Sequence, residues 1–176
     1  METVVPKIRR ALYKDMFLIA KQHANLSKQA KNSEEEIRHS LVAVIMACCS
    51  LEAFINTYAM QKHWNEWGTK EGKRYEYKPM GKKWLDTTRE YSIDGATFNE
   101  QSQPYSDFSR LVELRDSLVH YKVKPTSPVQ SKKGLISEQE AGLTVSKAEW
   151  AVETAKRMMK EFHRFAGMPF LDWLES

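Results

Sequence analysis

Hydrophobic positions recur at helical spacing in four long segments of the chain, and no segment alternates convincingly like a β-strand. The predicted helices run approximately over Lys7–Ala30, Ser33–Trp67, Tyr105–Tyr121 and Ser146–Ala166. The third starts after a proline, and prolines at 125 and 128 prevent it from continuing much further. The pattern therefore predicts an all-helical protein.

Two of these helices open on apparent capping boxes, in which a serine at the cap is followed three residues later by glutamate. The two segments are Ser33-Glu34-Glu35-Glu36 and Ser146-Lys147-Ala148-Glu149. Gly167 comes directly after the fourth helix, where a glycine commonly ends a helix. The short apolar segment that follows is expected to pack back on the body of the protein.

The second predicted helix is apolar on nearly every side between Leu41 and Leu51. A helix of this kind normally lies at the centre of a domain and is buried. The apolar run is too short to span a bilayer and leads directly into Glu52 and Asn56. We therefore expect a central core helix and no membrane partner.

A long connection, residues 68–103, separates the second predicted helix from the third. It is expected to contain a short helix from Lys82 to Tyr91, and a connection of this length is usually functional or mobile. Tyr75, Tyr77 and Trp84 stand among lysines, either to stack on bases or to anchor the loop. The predicted architecture is one domain over 1–176, an all-α bundle of four main helices with a long insertion between helices two and three.

Cysteine usage and the first residues bear on the cellular compartment. The start METVVPKIRR has no apolar core of a signal peptide. The two cysteines, Cys48 and Cys49, are adjacent in an apolar helix and cannot easily bridge each other. We therefore expect a reduced, cytoplasmic protein. The five histidines lie far apart without cysteine neighbours, so no metal and no cofactor is expected.

The net charge of +4 is concentrated in two segments. Residues 70–83 hold six basic and two acidic side chains, and residues 122–133 hold four lysines and no acid. The second segment begins with Lys122 and Lys124, close after His120. The two segments are either solvated loops or a surface for an acidic partner such as RNA.

Candidate chemistry centres on the segment LRDSLVHYK, residues 114–122, which contains Arg115 and His120. A second arginine and histidine at similar spacing, Arg157 and His163, serve as an internal comparison. On a helical wheel Arg115 falls inside the apolar arc, whereas Arg157 falls on the polar side. A buried guanidinium is costly unless it is paired or lies at a cleft or interface. The alternatives for Arg115 are therefore a buried ion pair, with Glu52 as the obvious partner, and a functional site.

The same segment resembles the signature of the HEPN superfamily, the higher eukaryotes and prokaryotes nucleotide-binding domains. That signature is an arginine, a polar residue and then a few residues ending in an aliphatic residue and a histidine. Those places are held here by Arg115, Asp116, Val119 and His120. The segment CSLEAFINTY, residues 49–58, is similar to a helix of several HEPN families in which a glutamate and an asparagine recur one turn apart. Glu52 and Asn56 match that pair.

The resemblance implies a metal-independent endoribonuclease of the RX4-6H type, built as an all-α bundle and commonly active as a homodimer. Many such proteins are toxins or phage-defence effectors, some of them controlled by an antitoxin. It also implies roles for individual residues: His120 for proton transfer, Arg115 for charge on the phosphorane and Asp116 for orienting the imidazole. Glu52, Asn56 and Tyr121 are supporting candidates, and Lys122 and Lys124 are candidates for RNA contact. One toxin branch has a tyrosine two places after the histidine, where this chain has Lys122. The alternatives are a non-catalytic HEPN-like module that binds RNA or a protein, and a plain helical interaction domain.

Overall fold

The structure, a computed structural model, describes residues 11–63, 77–120 and 142–175, together with the backbone of residues 129–131 and 134–136. Five α-helices lie in these ranges: α1 Leu12–Lys28, α2 Ser33–Lys62, α3 Met80–Tyr91, α4 Tyr105–Val119 and α5 Val145–Phe165. A single 3-10 turn spans Asp172–Leu174. The predicted all-α class is confirmed. One short hairpin, with antiparallel strands β1 Val129–Ser131 and β2 Gly134–Ile136, departs from it, and three-residue strands are too short to show alternation in sequence.

Helix α2 is the central element of the bundle and packs against all four other helices. Its buried side chains include Val44, Ala47, Cys48, Leu51 and Phe54. The prediction of a central, buried second helix is confirmed. By length and composition α2 is also long and apolar enough to cross a membrane, and half of that apolar stretch is buried inside the protein. The expectation of no membrane partner stays a prediction.

Helix α3 lies inside the predicted insertion and is part of the core. It begins two residues before the predicted start at Lys82 and ends at Tyr91 as predicted. Trp84 is fully buried and stacks on Phe54 of α2, with ring centroids 5.5 Å apart and planes 6° from parallel. Trp84 is therefore a core anchor, and the base-stacking interpretation is wrong for this residue. Tyr77 is exposed, and Tyr75 lies outside the described residues.

The predicted N-terminal caps are each displaced by one or two residues. The side chain of Asn32, not Ser33, caps α2 by accepting a hydrogen bond from the backbone N–H of Glu35 at 2.9 Å. Thr144, not Ser146, caps α5 by accepting from the backbone N–H of Lys147 at 3.3 Å. Both observed caps are of the residue types that stabilise helix starts, so the prediction of capped helices holds and its positions are wrong.

The segment after α5 folds back on the bundle, as predicted. Gly167 takes a positive φ of 60°, which suits the residue after a helix end. The ring of Trp173 contacts the rings of Tyr13 and Phe17 on α1, with centroids 6.0 and 5.6 Å away. Leu174 is buried. The segment therefore closes the core across α1.

Candidate functional site at the end of helix α4

Helix α4 is buried at its start and exposed at its end. Tyr105, Asp107, Phe108 and Leu111 pack into the core, and no residue after Leu111 in this helix is fully buried. The last turn exposes Asp116, Ser117 and Val119, and His120 follows as the exposed C-cap residue. The backbone N–H of His120 donates to the carbonyl of Asp116 at 2.9 Å, which fixes the backbone of this turn. The HEPN-like segment thus lies at an edge of the bundle.

Arg115 is partly buried and forms its ion pair with the residue next to it. Its side chain is 24% exposed, and its Nε atom lies 3.0 Å from Oδ1 of Asp116, whose side chain is 52% exposed. Nε is shielded from solvent, yet it makes no hydrogen bond within the described part of the chain. The contact is therefore an ion pair without an aligned hydrogen bond. The alternative of a buried ion pair with Glu52 is not found: in the described residues the Arg115 cation pairs with Asp116.

Two thiols of α2, Cys48 and Cys49, are influenced by charges of opposite sign, those of Arg115 and Glu52. Burial raises the pKa of the Cys48 thiol to about 12, and the Arg115 guanidinium opposes this rise while Glu52 adds to it. Burial also raises the pKa of Cys49, where Glu52 again adds to the rise and Arg115 opposes it. Arg115 and Glu52 therefore act electrostatically on the same two thiols. A thiol with a raised pKa stays protonated and is a poor nucleophile, so both thiols are neutral and unreactive.

Glu52 and Asn56 lie on the same helix but interact with different residues. Asn56 accepts a hydrogen bond at 2.6 Å from the Nζ atom of Lys83, a buried side chain of α3. Glu52 lies toward the thiols and Arg115. The structure therefore joins Glu52 to the neighbourhood of Arg115 and joins Asn56 to α3. Lys83 was not identified from sequence, because nothing local distinguishes it from the adjacent Lys82.

The two main candidates, Arg115 and His120, do not share one face of α4. Five residues on a helix correspond to a rotation of about 140° between them. The carboxylate of Asp116 lies with Arg115, and in the described residues no hydrogen bond joins it to the imidazole of His120. Tyr121, Lys122 and Lys124 lie outside the described residues.

The second arginine and histidine, Arg157 and His163, behave as structural residues. His163 is buried, and its Nδ1 atom lies 2.6 Å from the carbonyl oxygen of Pro169, to which it must donate. Its Nε2 atom lies 3.0 Å from the hydroxyl of Tyr58, whose pKa burial raises, so the phenol remains a donor. Arg157 donates to the side-chain carbonyl of Gln103 at 3.1 Å. Of the two matches to the spacing, only the one at Arg115 exposes its histidine.

The other three histidines also have side-chain partners. The Nδ1 atoms of His23 and His39 lie 3.1 Å apart across α1 and α2. The Nε2 atom of His63 lies 2.8 Å from Oε2 of Glu90, across α2 and α3. These partners are 16 and 27 residues apart in sequence, so no local pattern indicates them. Among the described residues, no three histidine, cysteine or acidic side chains come together as a metal site.

Comparison with known proteins identifies no relative of this chain. No protein-family model matches it, and no curated protein or solved structure matches it. The resemblance to the HEPN signature therefore rests on the residues of α2 and α4 alone.

Proposed function

We propose that this protein is a metal-independent endoribonuclease of HEPN type, in which Arg115 and His120 act at the interface of a homodimer. The observation that carries the proposal is the exposed C-terminal turn of α4. This turn presents His120 to solvent and leaves the Arg115 guanidinium partly accessible, at the place where the HEPN-like signature falls. The second arginine and histidine of similar spacing, Arg157 and His163, provide a contrast. His163 is buried and both its ring nitrogens are hydrogen-bonded, so it is not available to a substrate.

The proposed reaction uses the 2′-hydroxyl of RNA as the nucleophile, so it needs no metal. The 2′-oxygen attacks the adjacent phosphorus, a base takes the hydroxyl proton, and an acid donates a proton to the departing 5′-oxygen. The products are a 2′,3′-cyclic phosphate and a 5′-hydroxyl. A histidine titrates near neutral pH and suits either proton transfer. A guanidinium donates to two phosphate oxygens and stabilises the negative charge of the phosphorane, the role proposed for Arg115.

A dimer would supply two things that the proposed reaction needs and that a single chain lacks. One chain offers a single exposed histidine, His120, whereas the reaction uses both an acid and a base. In addition, Arg115 and His120 are about 140° apart around α4, so the arginine of one copy is better placed to work with the histidine of another. Val119, adjacent to His120, is 54% exposed, so an apolar side chain is available at this end of α4 for contact with a second copy. The proposed site is therefore shared across a two-fold axis at the ends of the two α4 helices.

The resemblance extends the proposal to a cellular role. The partner is RNA, held in part by Lys122 and Lys124, and the protein is a toxin or phage-defence effector in the cytoplasm. An antitoxin or other regulatory protein would control it. The proposed bundle arrangement is the one used by HEPN domains, and the proposed enzyme uses no cofactor.

The proposal is tested by incubating a mixed RNA pool with the purified protein in excess EDTA. Wild type should cleave and leave 2′,3′-cyclic phosphate ends, and His120→Ala and Arg115→Met should not. The matched control is Arg110→Met, which removes an exposed arginine of the same helix and should cleave like wild type. Cleavage by His120→Ala at the wild-type rate overturns the assignment, and loss of all cleavage in EDTA overturns the metal-independent mechanism.

The second candidate is a non-catalytic module of the same fold that binds RNA or a protein. The observation that favours it is the ion pair with Asp116, which engages Arg115 within the chain. This candidate predicts RNA binding that weakens steeply with salt, without any cleavage. The cleavage assay above distinguishes the two.

A further inference from the structure

We infer that Asp116 is a built-in competitor for RNA: its carboxylate holds the Arg115 guanidinium until a phosphodiester of the RNA strand displaces it. The inference rests on the proposed function and deepens it by assigning Asp116 a role other than orienting His120. Asp116 then controls how tightly the site holds an RNA phosphate, and it acts through Arg115.

The first observation is where the carboxylate lies. Oδ1 of Asp116 is 3.0 Å from Nε of Arg115, whereas in the described residues no hydrogen bond joins Asp116 to the ring of His120. The only bond between the two residues is the helical one from the His120 backbone N–H to the Asp116 carbonyl. The carboxylate is therefore placed to act on the arginine and not on the imidazole.

The second observation is that the ion pair is weakly constructed. The Nε–H of Arg115 is not directed at the carboxylate and makes no hydrogen bond in the described part of the chain. The carboxylate itself is half exposed, so water competes with Arg115 for its oxygen atoms and the ion pair is worth little. Such a pair opens readily when a better acceptor arrives.

The third observation concerns the chemistry of that acceptor. A carboxylate and a phosphodiester both present oxygen atoms to the donors of a guanidinium, so they compete for the same cation. Glu52 is a second carboxylate of this neighbourhood, since it and Arg115 both act electrostatically on the Cys48 and Cys49 thiols. Asp116 and Glu52 therefore reduce the positive electrostatic potential around Arg115. The RNA phosphate displaces Asp116, the carboxylate in contact with the guanidinium.

The test measures binding of a strand that cannot be cut. The probe is a fluorescein-labelled 2′-O-methyl oligonucleotide of mixed sequence, titrated by fluorescence anisotropy at low salt, where screening is weak. The variants are Asp116→Asn, Arg115→Met and the double variant carrying both. The matched control is Glu113→Gln, which makes the same change in net charge at another exposed acidic residue of α4.

Asp116→Asn should tighten binding by about two- to fivefold, the range expected for releasing one weak ion pair. Glu113→Gln should tighten it by less. In the Arg115→Met background the Asp116 substitution should have no more effect than the control, because the competitor then has no cation to hold. The inference is overturned if Asp116→Asn weakens binding, if it matches Glu113→Gln, or if its effect persists without Arg115.

Cleavage kinetics give an independent readout that separates this role from orienting the histidine. A competitor role predicts that Asp116→Asn lowers KM and raises kcat/KM, whereas an orienting role predicts a fall in kcat at unchanged KM, which contradicts the inference. If no variant cuts RNA, the proposed ribonuclease function fails. The binding comparison still decides the role of Asp116, so the two failures are distinguishable.

Discussion

The Nε2 atom of His163 lies 3.0 Å from the hydroxyl oxygen of Tyr58, which joins α5 to α2 across 105 residues of sequence. The opposite nitrogen of the same ring donates to the carbonyl oxygen of Pro169 in the segment that follows α5. Both ring nitrogens of a buried histidine are therefore satisfied. One imidazole thereby fixes two helices and the segment that closes the core.

His163→Ala should destabilise the protein by about 2–4 kcal/mol, because it removes two buried hydrogen bonds and leaves a cavity. The matched variant is His120→Ala, which truncates an exposed residue and should change the free energy of unfolding by no more than about 0.5 kcal/mol. Urea unfolding followed by circular dichroism measures both. Equal losses of unfolding free energy in the two variants would contradict the structural role of His163.

The pair of His23 and His39 predicts loss of stability in mild acid. Burial lowers the pKa of His23 in the folded protein, and the nearby His39 lowers it further. The unfolded chain, with a histidine pKa of about 6.5, therefore binds more protons than the folded one at lower pH. The stabilisation from a neutral His23 is complete above that pH and is lost as pH falls from there through the lower folded value.

His39→Asn keeps a polar atom near the position of Nδ1 and removes the neighbouring charge, so stability should fall less between pH 7.5 and pH 5. The free energy of unfolding of wild type and variant is measured by urea titration at several pH values in that interval. If the free energy of unfolding depends on pH in the same way in both proteins, His39 does not affect the protonation of His23 and the prediction is wrong.

The observed caps of α2 and α5 predict which of the neighbouring polar residues contribute to the free energy of unfolding. Asn32→Ala and Thr144→Ala should each cost about 1 kcal/mol, the usual contribution of a capping side chain. Ser33→Ala and Ser146→Ala, one and two residues later, should cost only a few tenths. Thermal and urea unfolding of the four variants test the assignment, and a larger loss at Ser33 or Ser146 than at its neighbour would reverse it.

Gly167 and Gly95 form a matched pair for backbone strain. Both take positive φ, 60° and 73°, and a Cβ at Gly167 would meet Cδ1 of Ile93 whereas one at Gly95 meets nothing within 4 Å. The Ile93 side chain is exposed and can rotate away, so each alanine variant should cost about 1 kcal/mol from strain alone. Gly167→Asn should cost less than Gly167→Ala, because asparagine tolerates this conformation. Adding Ile93→Ala to Gly167→Ala should recover little stability, and a large recovery would mean that overlap dominates.

The helices could be predicted because long apolar periodicity is a local signal, and the central position of α2 follows from its apolar run. The caps could not be placed, since Asn32 and Ser33 are both good capping residues and so are Thr144 and Ser146. At α5 the choice is influenced by another helix: the backbone N–H of Val145 donates to Oε1 of Glu36 on α2 at 3.2 Å. A contact across 109 residues leaves no trace in the local sequence.

The candidate site was predictable in part for the same reason. The helical wheel identified the partly buried position of Arg115 but not its partner. Adjacent residues on a helix do not face each other, so the helical pattern does not indicate Asp116 as that partner. The long arginine side chain instead bends to the neighbouring carboxylate. The buried, bonded state of His163 depends on Tyr58 and Pro169, neither of which a wheel for α5 contains.

The helical twist of α2 also fixes the directions in which its side chains meet the neighbouring helices. Glu52, near Arg115, and Asn56, which accepts a hydrogen bond from Lys83 of α3, are four positions apart on this helix. One inserted or deleted residue between them would turn the two ends against each other by about 100°. Length changes within this stretch are therefore far more disruptive than substitutions, and insertions compatible with the fold belong in the connections outside α2.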